Sequence, residues 1–479
     1  MAIPDVVSSS SRTGRRRIGV AELVFFVVAA SAPLTVAAGG MPTQFAVTGV
    51  VGVPLLYILL AILLTLFTGG YAAMSRSISN TGAFYAYVSH GLGRTAGVGT
   101  AFVALLSYNT MQIGLYGLFG FVTADLLNTR MGLNLPWWAV ALAGVVVVAV
   151  LGYRRIDLNA RVLGVLLAVE FLTVLIFDLG MVAQAPERLS AAPLEFGALG
   201  SGAVGAAFCF AMAAFMGFEA AAIYSEECRD PRRAVGRATY IAVGLIGAFY
   251  AFTAWAMTMG TGASKIVAQS AEHGPGLVFV LAEQHVGRVF SDLTQVFLAT
   301  SVFAALLSFH NAVARYFFSL GREGVLPDVL GRTHVRHGSP HVGSMTQTAL
   351  AAAVVVAFAL SGGDPMLTFF SWFTNLGALG VILLLVLTSA AVAGFFARDR
   401  RGEHAWNTMI APIASGIGLA VVFVLALLNF GALLGSEQGS MLTWVLPGLI
   451  FAAGALGLAF ATYLRSARPE VYARIGRGA

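Results

Sequence analysis

The chain has 479 residues, of which 58% are hydrophobic and 10% charged, with a formal net charge of +6. A soluble domain carries roughly 25% charged residues, so an ordinary globular domain is excluded; the apolar residues instead form runs of about 20 or more, enough to cross a bilayer as helices, where a membrane β-barrel would show short alternating segments. The positive charge is no nucleic-acid signal, because the arginines lie in short joints between apolar runs, where they set topology, and the two cysteines, Cys209 and Cys228, have neither disulfide nor metal spacing and read as small buried hydrophobes.

Twelve apolar segments are predicted as transmembrane helices, at 19–45, 49–74, 96–126, 135–152, 159–182, 202–226, 236–260, 289–319, 345–361, 366–397, 409–433 and 441–464. Arg15-Arg16-Arg17 ahead of the first looks like the start of an export signal, but the many spans that follow make it a basic cytoplasmic anchor on a retained helix. The first span is interrupted between Ala29 and Pro42. Pro33 removes a backbone donor and frees the carbonyl of Ala29, and Ser31 and Thr35 can satisfy loosened backbone groups; a kink serving packing alone is the competing reading. In span three, Asn109, Gln112 and Tyr116 share one helix face, as pocket lining or as interhelical polar glue. Span five carries Glu170 and, nearer the outer face, the weaker candidate Asp178.

Span six holds Glu219 in an apolar stretch two residues after Gly217, amid Ala213, Ala214 and Ala220 to Ala222. A carboxylate at that depth costs at least about 2.5–3.5 kcal/mol, which makes it a functional candidate. A broken helix lining a substrate cavity is expected; a packing glycine beside an acid paired to a neighbouring helix is the alternative. Phe215, Met216 and Phe218 flank the break, the two phenylalanines as gates or as plain packing. Arg229, Asp230, Arg232 and Arg233 could latch to Arg76 with Glu226 or Glu227, or be a plain positive-inside cluster. The outer loop 261–288 is broken by Gly274-Pro275-Gly276, with short helices expected beside the break. His310, next to Asn311 near the inner end of span eight, is the one histidine in a predicted span, and Asn375 in span ten has the same ambiguity as Asn109. His334, His337 and His341 in the inner loop 321–344 lie near no cysteine or acid and read as a hydrated loop rather than a metal site.

Sorted by side, 24 of the 28 Lys and Arg residues share one face, against Arg130, Arg188, Lys265 and Arg288 on the other. Both termini are therefore expected in the cytoplasm, and an odd span count would scramble the sorting. If spans one to five and six to ten are inverted repeats, the two interruptions correspond, the best sequence pointer to a transport site.

Four motifs carry a family resemblance: Ser31-Ala-Pro-Leu-Thr35; Gly69-Gly-Tyr-Ala-Ala-Met-Ser-Arg76 running into Asn80-Thr-Gly-Ala-Phe-Tyr-Ala-Tyr87; Phe215-Met-Gly-Phe-Glu219 followed by Glu226-Glu-Cys-Arg-Asp-Pro-Arg-Arg233; and Asn311 to Pro327, closing span eight. Over about residues 18–465 the chain resembles the amino acid–polyamine–organocation permeases. The resemblance implies an all-α integral membrane protein with twelve transmembrane helices, a LeuT-like five-plus-five inverted repeat plus two C-terminal helices. Its parts would be a cytoplasmic tail (1–17), first repeat (18–182), second repeat (202–397), two further helices (409–464) and a cytoplasmic tail (465–479). It also implies alternating access and a site between unwound spans one and six. Many amino acid permeases have a Gly-Ser/Thr-Gly type of sequence at the span-one break; the Ala-Pro-Leu-Thr version is similar to a subgroup that includes putrescine importers.

A zwitterionic amino acid would place its carboxylate on N–H groups of Ala32, Leu34 and Thr35. Its ammonium would face carbonyls near Ala29 and Ala214 to Met216, with Glu219 behind them. A polyamine would instead want Glu219 directly, and aromatic faces. Related permeases often have a lysine, thought to carry the coupling proton, at the position matching Glu170. Here Glu170 is the expected proton switch, against a fixed ion-pair partner or a standing hydrogen-bond donor. The expected activity is secondary uptake of an amino acid or related amine across the cytoplasmic membrane, coupled to protons; a putrescine importer and an exchanger are the alternatives, and sodium could bind carbonyls of spans one and eight. No nucleophile–base or metal constellation and no Walker loop appears, so neither an enzyme nor ATP-driven transport is expected; a channel suits broken helices with a lone acid less well than a carrier. The expected partners are the substrate, the coupling ion and membrane lipid, with no cofactor and no nucleic acid.

Overall fold

The computed structural model describes residues 19–78, 82, 84–154, 160–222, 228–435 and 440–477. Eleven helical stretches are long and apolar enough to cross a membrane, and no β-strand occurs among the described residues. The first stretch, Val20–Thr48, comprises α1 (Val20–Ser31), a wide π turn over Thr35–Gly40 and α2 (Met41–Thr48). Then come α3 (Val53–Ser77), the short α4 (Phe84–Gly91), α5 (Arg94–Met131), α6 (Trp137–Arg154) and α7 (Ala160–Ala183).

The sixth predicted segment departs from the rest. Its described residues form α8 (Val204–Phe215), 12 residues long, then a 3-10 turn over Phe218–Ala222. A helix of that length rises only about 18 Å, so α8 does not cross by itself, and the interruption at Met216-Gly217 is what shortens it. The second half continues with α9 (Pro231–Thr261), α10 (Ile266–His273), α11 (Leu277–His285), α12 (Arg288–Arg322), α13 (His341–Ser361) and α14 (Ser371–Arg398). α15 (Ala411–Leu428), α16 (Phe430–Leu433), α17 (Leu442–Ala467) and α18 (Pro469–Arg474) close the chain. α10 and α11 flank Gly274–Gly276, as the loop sequence predicts.

α5 is the central pillar and packs on α6, α12, α14 and α17. Its small residues allow close approach: Gly114 lies against Thr374 and Gly117 against Phe369. On the arginine-rich side, Arg76 forms a two-pronged pair with Glu403, Nε to Oε1 at 2.6 Å and Nη2 to Oε2 at 2.7 Å. This differs from the predicted latch: Glu226 and Glu227 lie outside the described residues, as do Arg15 to Arg17 and the tail 1–17. In the 321–344 loop, the His334 ring packs against those of His337 and Tyr153 with centroids 4.8 and 5.1 Å apart. Among the described residues no three His, Cys, Asp or Glu side chains converge as a metal site.

Candidate functional site

Both interruptions lie at one place. At the first, Ala32 has φ +46°, a conformation uncommon for a residue with a Cβ, and it precedes Pro33, which disfavours the right-handed region. The Ala29 carbonyl, deprived of a donor by Pro33, accepts from the Ala32 N–H at 3.1 Å. Ser31 Oγ donates to Val28 O, and Tyr250 Oη donates to Ser31 O at 3.1 Å. At the second, the Met216 N–H donates to Met212 O and Ala213 O, and the carbonyls of Ala214 and Phe215 lie past the last donor of α8. Gly217 has φ +107°, and a Cβ there would stand 2.8 Å from Ala30 Cβ, so the breaks touch where only glycine fits.

Between the breaks is a cavity of about 50 Å³. Ser31, Ala32, Thr35 and Met216 line it on the two broken segments; Tyr57, Met111, Phe309 and Phe370 line it from neighbouring helices. Among the described residues no charged side chain lines it. This volume holds a few waters and nothing larger.

The remaining predicted residues are placed differently. Phe215 is fully buried against Tyr57 and Tyr250, and Phe218 against Phe67, as packing. The Leu34 N–H donates to Glu170 Oε2 at 3.4 Å, so the N–H groups of Ala32 and Leu34, expected to be open, are both engaged. Asn109 Nδ2 donates to Leu105 O within its own helix. Gln112 is turned away from the cavity lining: its Nε2 lies 3.3 Å from His310 Nδ1, its Oε1 accepts from Gln347 Nε2, and His310 Nε2 meets Ser344 Oγ at 2.7 Å. That network ties α5 to α12 and α13, the glue alternative. Asn375 Nδ2 likewise donates to Ser371 O in its own helix.

Glu219 is buried behind the break. Its Oε1 accepts from Tyr108 Oη, its Oε2 from the Gly217 N–H at 3.1 Å, and its backbone carbonyl from Tyr71 Oη at 3.0 Å. The carboxyl thus braces its own turn. Tyr108→Phe is expected to leave it short of a partner at a cost of about 1–3 kcal/mol, read as a lower thermal midpoint of the purified protein; an unchanged midpoint would count against the brace.

Glu170 meets the first break from α7. Ser301 Oγ of α12 donates to Glu170 Oε2 at 2.8 Å and lies 2.9 Å from Thr35 Oγ1. One acid therefore touches the backbone of the unwound segment and, through one hydroxyl, a residue that lines the cavity. Asp178 accepts from Thr253 Oγ1 at 2.8 Å and joins neither group. Nothing local in the sequence marks Tyr57, Tyr108 or Ser301, since a tyrosine or serine in an apolar run is ordinary, and only the packing of distant helices brings them here.

Residues 18–453 match the family model described as amino acid permease. The chain is 24% identical to the branched-chain amino acid permease BcaP of Bacillus subtilis over 434 residues, 85% of this chain and 86% of that one. It is 22% identical over 440 residues to the low-affinity putrescine importer PlaP of Escherichia coli, covering 87% and 86% of the two chains. With the human cystine/glutamate transporter it shares 25% identity over 349 residues, 70% and 68% of the respective lengths.

Proposed function

The chain belongs to the amino acid permease family, and on that premise we propose that it is a proton-coupled secondary transporter of neutral amino acids with apolar side chains. The observation that carries the substrate class is the cavity between the two breaks, uncharged and mostly apolar in its lining, with both oxygens of Glu219 turned to Tyr108 and Gly217. A zwitterion needs no charged partner there, since helix ends and unpaired backbone groups can neutralise it. The carbonyls of Ala214 and Phe215 suit the ammonium, and the Leu34 N–H, once released by Glu170, suits the carboxylate.

Glu170 supplies the coupling in this reading. In this state it holds the Leu34 N–H. Loading a proton on Glu170 weakens it as an acceptor and frees that N–H for the substrate carboxylate, so proton and substrate binding favour each other. The reading includes a five-plus-five inverted repeat with two further helices, and both termini on the cytoplasmic side of the cell membrane, as the arginine distribution supports. Family and relatives speak for carriage rather than catalysis.

Polyamine import is the second reading, favoured by the Ala32-Pro33-Leu34-Thr35 sequence at the break and by a buried acid one turn from the cavity. The test is uptake by the purified protein in liposomes, comparing leucine, glutamate and putrescine with and without an inward proton gradient. Gradient-stimulated leucine uptake with no putrescine uptake is expected. Putrescine uptake alone would overturn the substrate class, and leucine uptake only into leucine-loaded liposomes would make the protein an exchanger.

A further inference from the structure

We propose that the arginine-rich side of the protein carries an anion site for a phosphate group, in a pocket between the start of α5 and the folded-back C-terminal segment. After α18 the chain returns into the protein. Ile475, 2% exposed, packs in an apolar cluster of its own with Tyr85, Val98, Leu320 and Val325. The Gly476 N–H donates to Glu323 Oε2 at 2.9 Å, and the Gly476 carbonyl lies 2.9 Å from His90 Nε2. A carbonyl only accepts, so His90 Nε2 is the donor. Gly476 has φ +80°, and a Cβ there would sit 2.7 Å from Ser89 Cβ. The segment is seated in a fitted socket.

Beside the socket is a cavity of about 360 Å³, lined by Ser89, His90, Arg94, Tyr472 and Arg477 among others. That volume falls among those of small-ligand sites, about 300–1,000 Å³. Among the described residues neither Arg94 nor Arg477 has an acidic partner. The Arg94 guanidinium lies 5.8 Å from the centre of the Tyr472 ring, whose hydroxyl is 2.9 Å from Thr95 Oγ1. Arg94 also opens α5, a helix of 38 residues whose first-turn N–H groups lack partners within the helix. Ser89 is 7% exposed, and its hydroxyl has no hydrogen-bond partner among the described residues. Among the described residues no carboxylate lines the cavity, and Glu323 is turned to Gly476.

Two guanidinium groups, a helix N-terminus and a buried unpaired hydroxyl offer donors from several directions to one small anion. Phosphate, with several acceptor oxygens, matches that set better than a carboxylate with two. Such an anion would bridge Arg94 on α5 to Arg477 on the tail and pin the segment in its socket. The phosphate could belong to a lipid headgroup or to a soluble ion, and the inference does not depend on what the carrier moves.

The test is hydrogen exchange across residues 469–477 of the full-length protein. One arm compares inorganic phosphate with chloride at equal ionic strength in detergent. The other compares nanodiscs of phosphatidylglycerol with nanodiscs of phosphatidylcholine. Exchange is expected to slow by about threefold or more in at least one arm, the effect of a ligand at about twice its Kd. The effect should vanish in Arg94→Gln and in Arg477→Gln; Arg477 is exposed, so its variant keeps the test open if Arg94→Gln fails to fold. Slowing in detergent assigns soluble phosphate, and slowing with phosphatidylglycerol alone assigns a lipid headgroup. No slowing in either arm, equal slowing by chloride, or slowing that survives Arg477→Gln would overturn the site.

Discussion

Glu170→Gln is expected to bring gradient-driven uptake down to the level seen without a gradient, by about tenfold or more, equivalent to about 1.4 kcal/mol in the coupled step. Glutamine resembles the protonated acid: its oxygen still accepts from Ser301 Oγ, the shorter of the two contacts that Glu170 Oε2 makes, and holds the Leu34 N–H only weakly, so the local structure should survive and the substrate carboxylate can still bind. It cannot load and release a proton. Counterflow, which moves labelled substrate against unlabelled substrate with no gradient, is therefore expected to persist within a few-fold of wild type. The contrast separates a lost coupling ion from a lost fold. A variant that still accumulates substrate in response to an inward proton gradient as wild type does would remove Glu170 from the coupling mechanism.

The second large effect is expected at the contact between the breaks. Gly217→Ala places a Cβ at φ +107°, 2.8 Å from Ala30 Cβ. Backbone strain of this kind costs about 1–3 kcal/mol, and forcing a methyl into a filled contact adds about 1–3 kcal/mol. The broken segments would be pushed apart, moving the carbonyl side of the site relative to the N–H side. Uptake is expected to fall by at least about tenfold, with a lower thermal midpoint. Gly244→Ala in α9 is the control: a Cβ there meets nothing within 4 Å, and alanine is favoured over glycine in a helix by about 1 kcal/mol. That variant should transport as wild type does. Near-normal transport by Gly217→Ala would mean the breaks need not touch.

The interruptions were legible because each rests on a residue with a local physical signature. Proline lacks a donor wherever it stands, and glycine beside an acid in an apolar run is conspicuous without knowing its neighbours. The Gly274-Pro275-Gly276 break was readable for the same reason. Partners were not readable. Helical spacing puts Asn109 and Gln112 on one face, but it carries no information on which helix that face meets, and Gln112 meets His310 and Gln347 rather than the cavity. Arg76 pairs with Glu403, 327 residues away, and no local pattern marks that acid. The Glu170–Ser301–Thr35 chain has the same character: each residue is unremarkable in its own span until three helices converge. The C-terminal socket depends on Gly476, one of 55 glycines, and only its contacts set it apart.

In the proposed reading, where the central cavity receives the substrate, its small volume bears on selectivity. A ligand that needs more room than about 50 Å³ binds only when the protein has dilated, so the measured affinity is the affinity of the dilated form multiplied by its population. If that form makes up about 1% of molecules, apparent binding is weakened about a hundredfold. Discrimination among solutes then reflects the work of expansion as much as the contacts made afterwards. A bulkier side chain has to gain more from the apolar walls before it can hold the protein open.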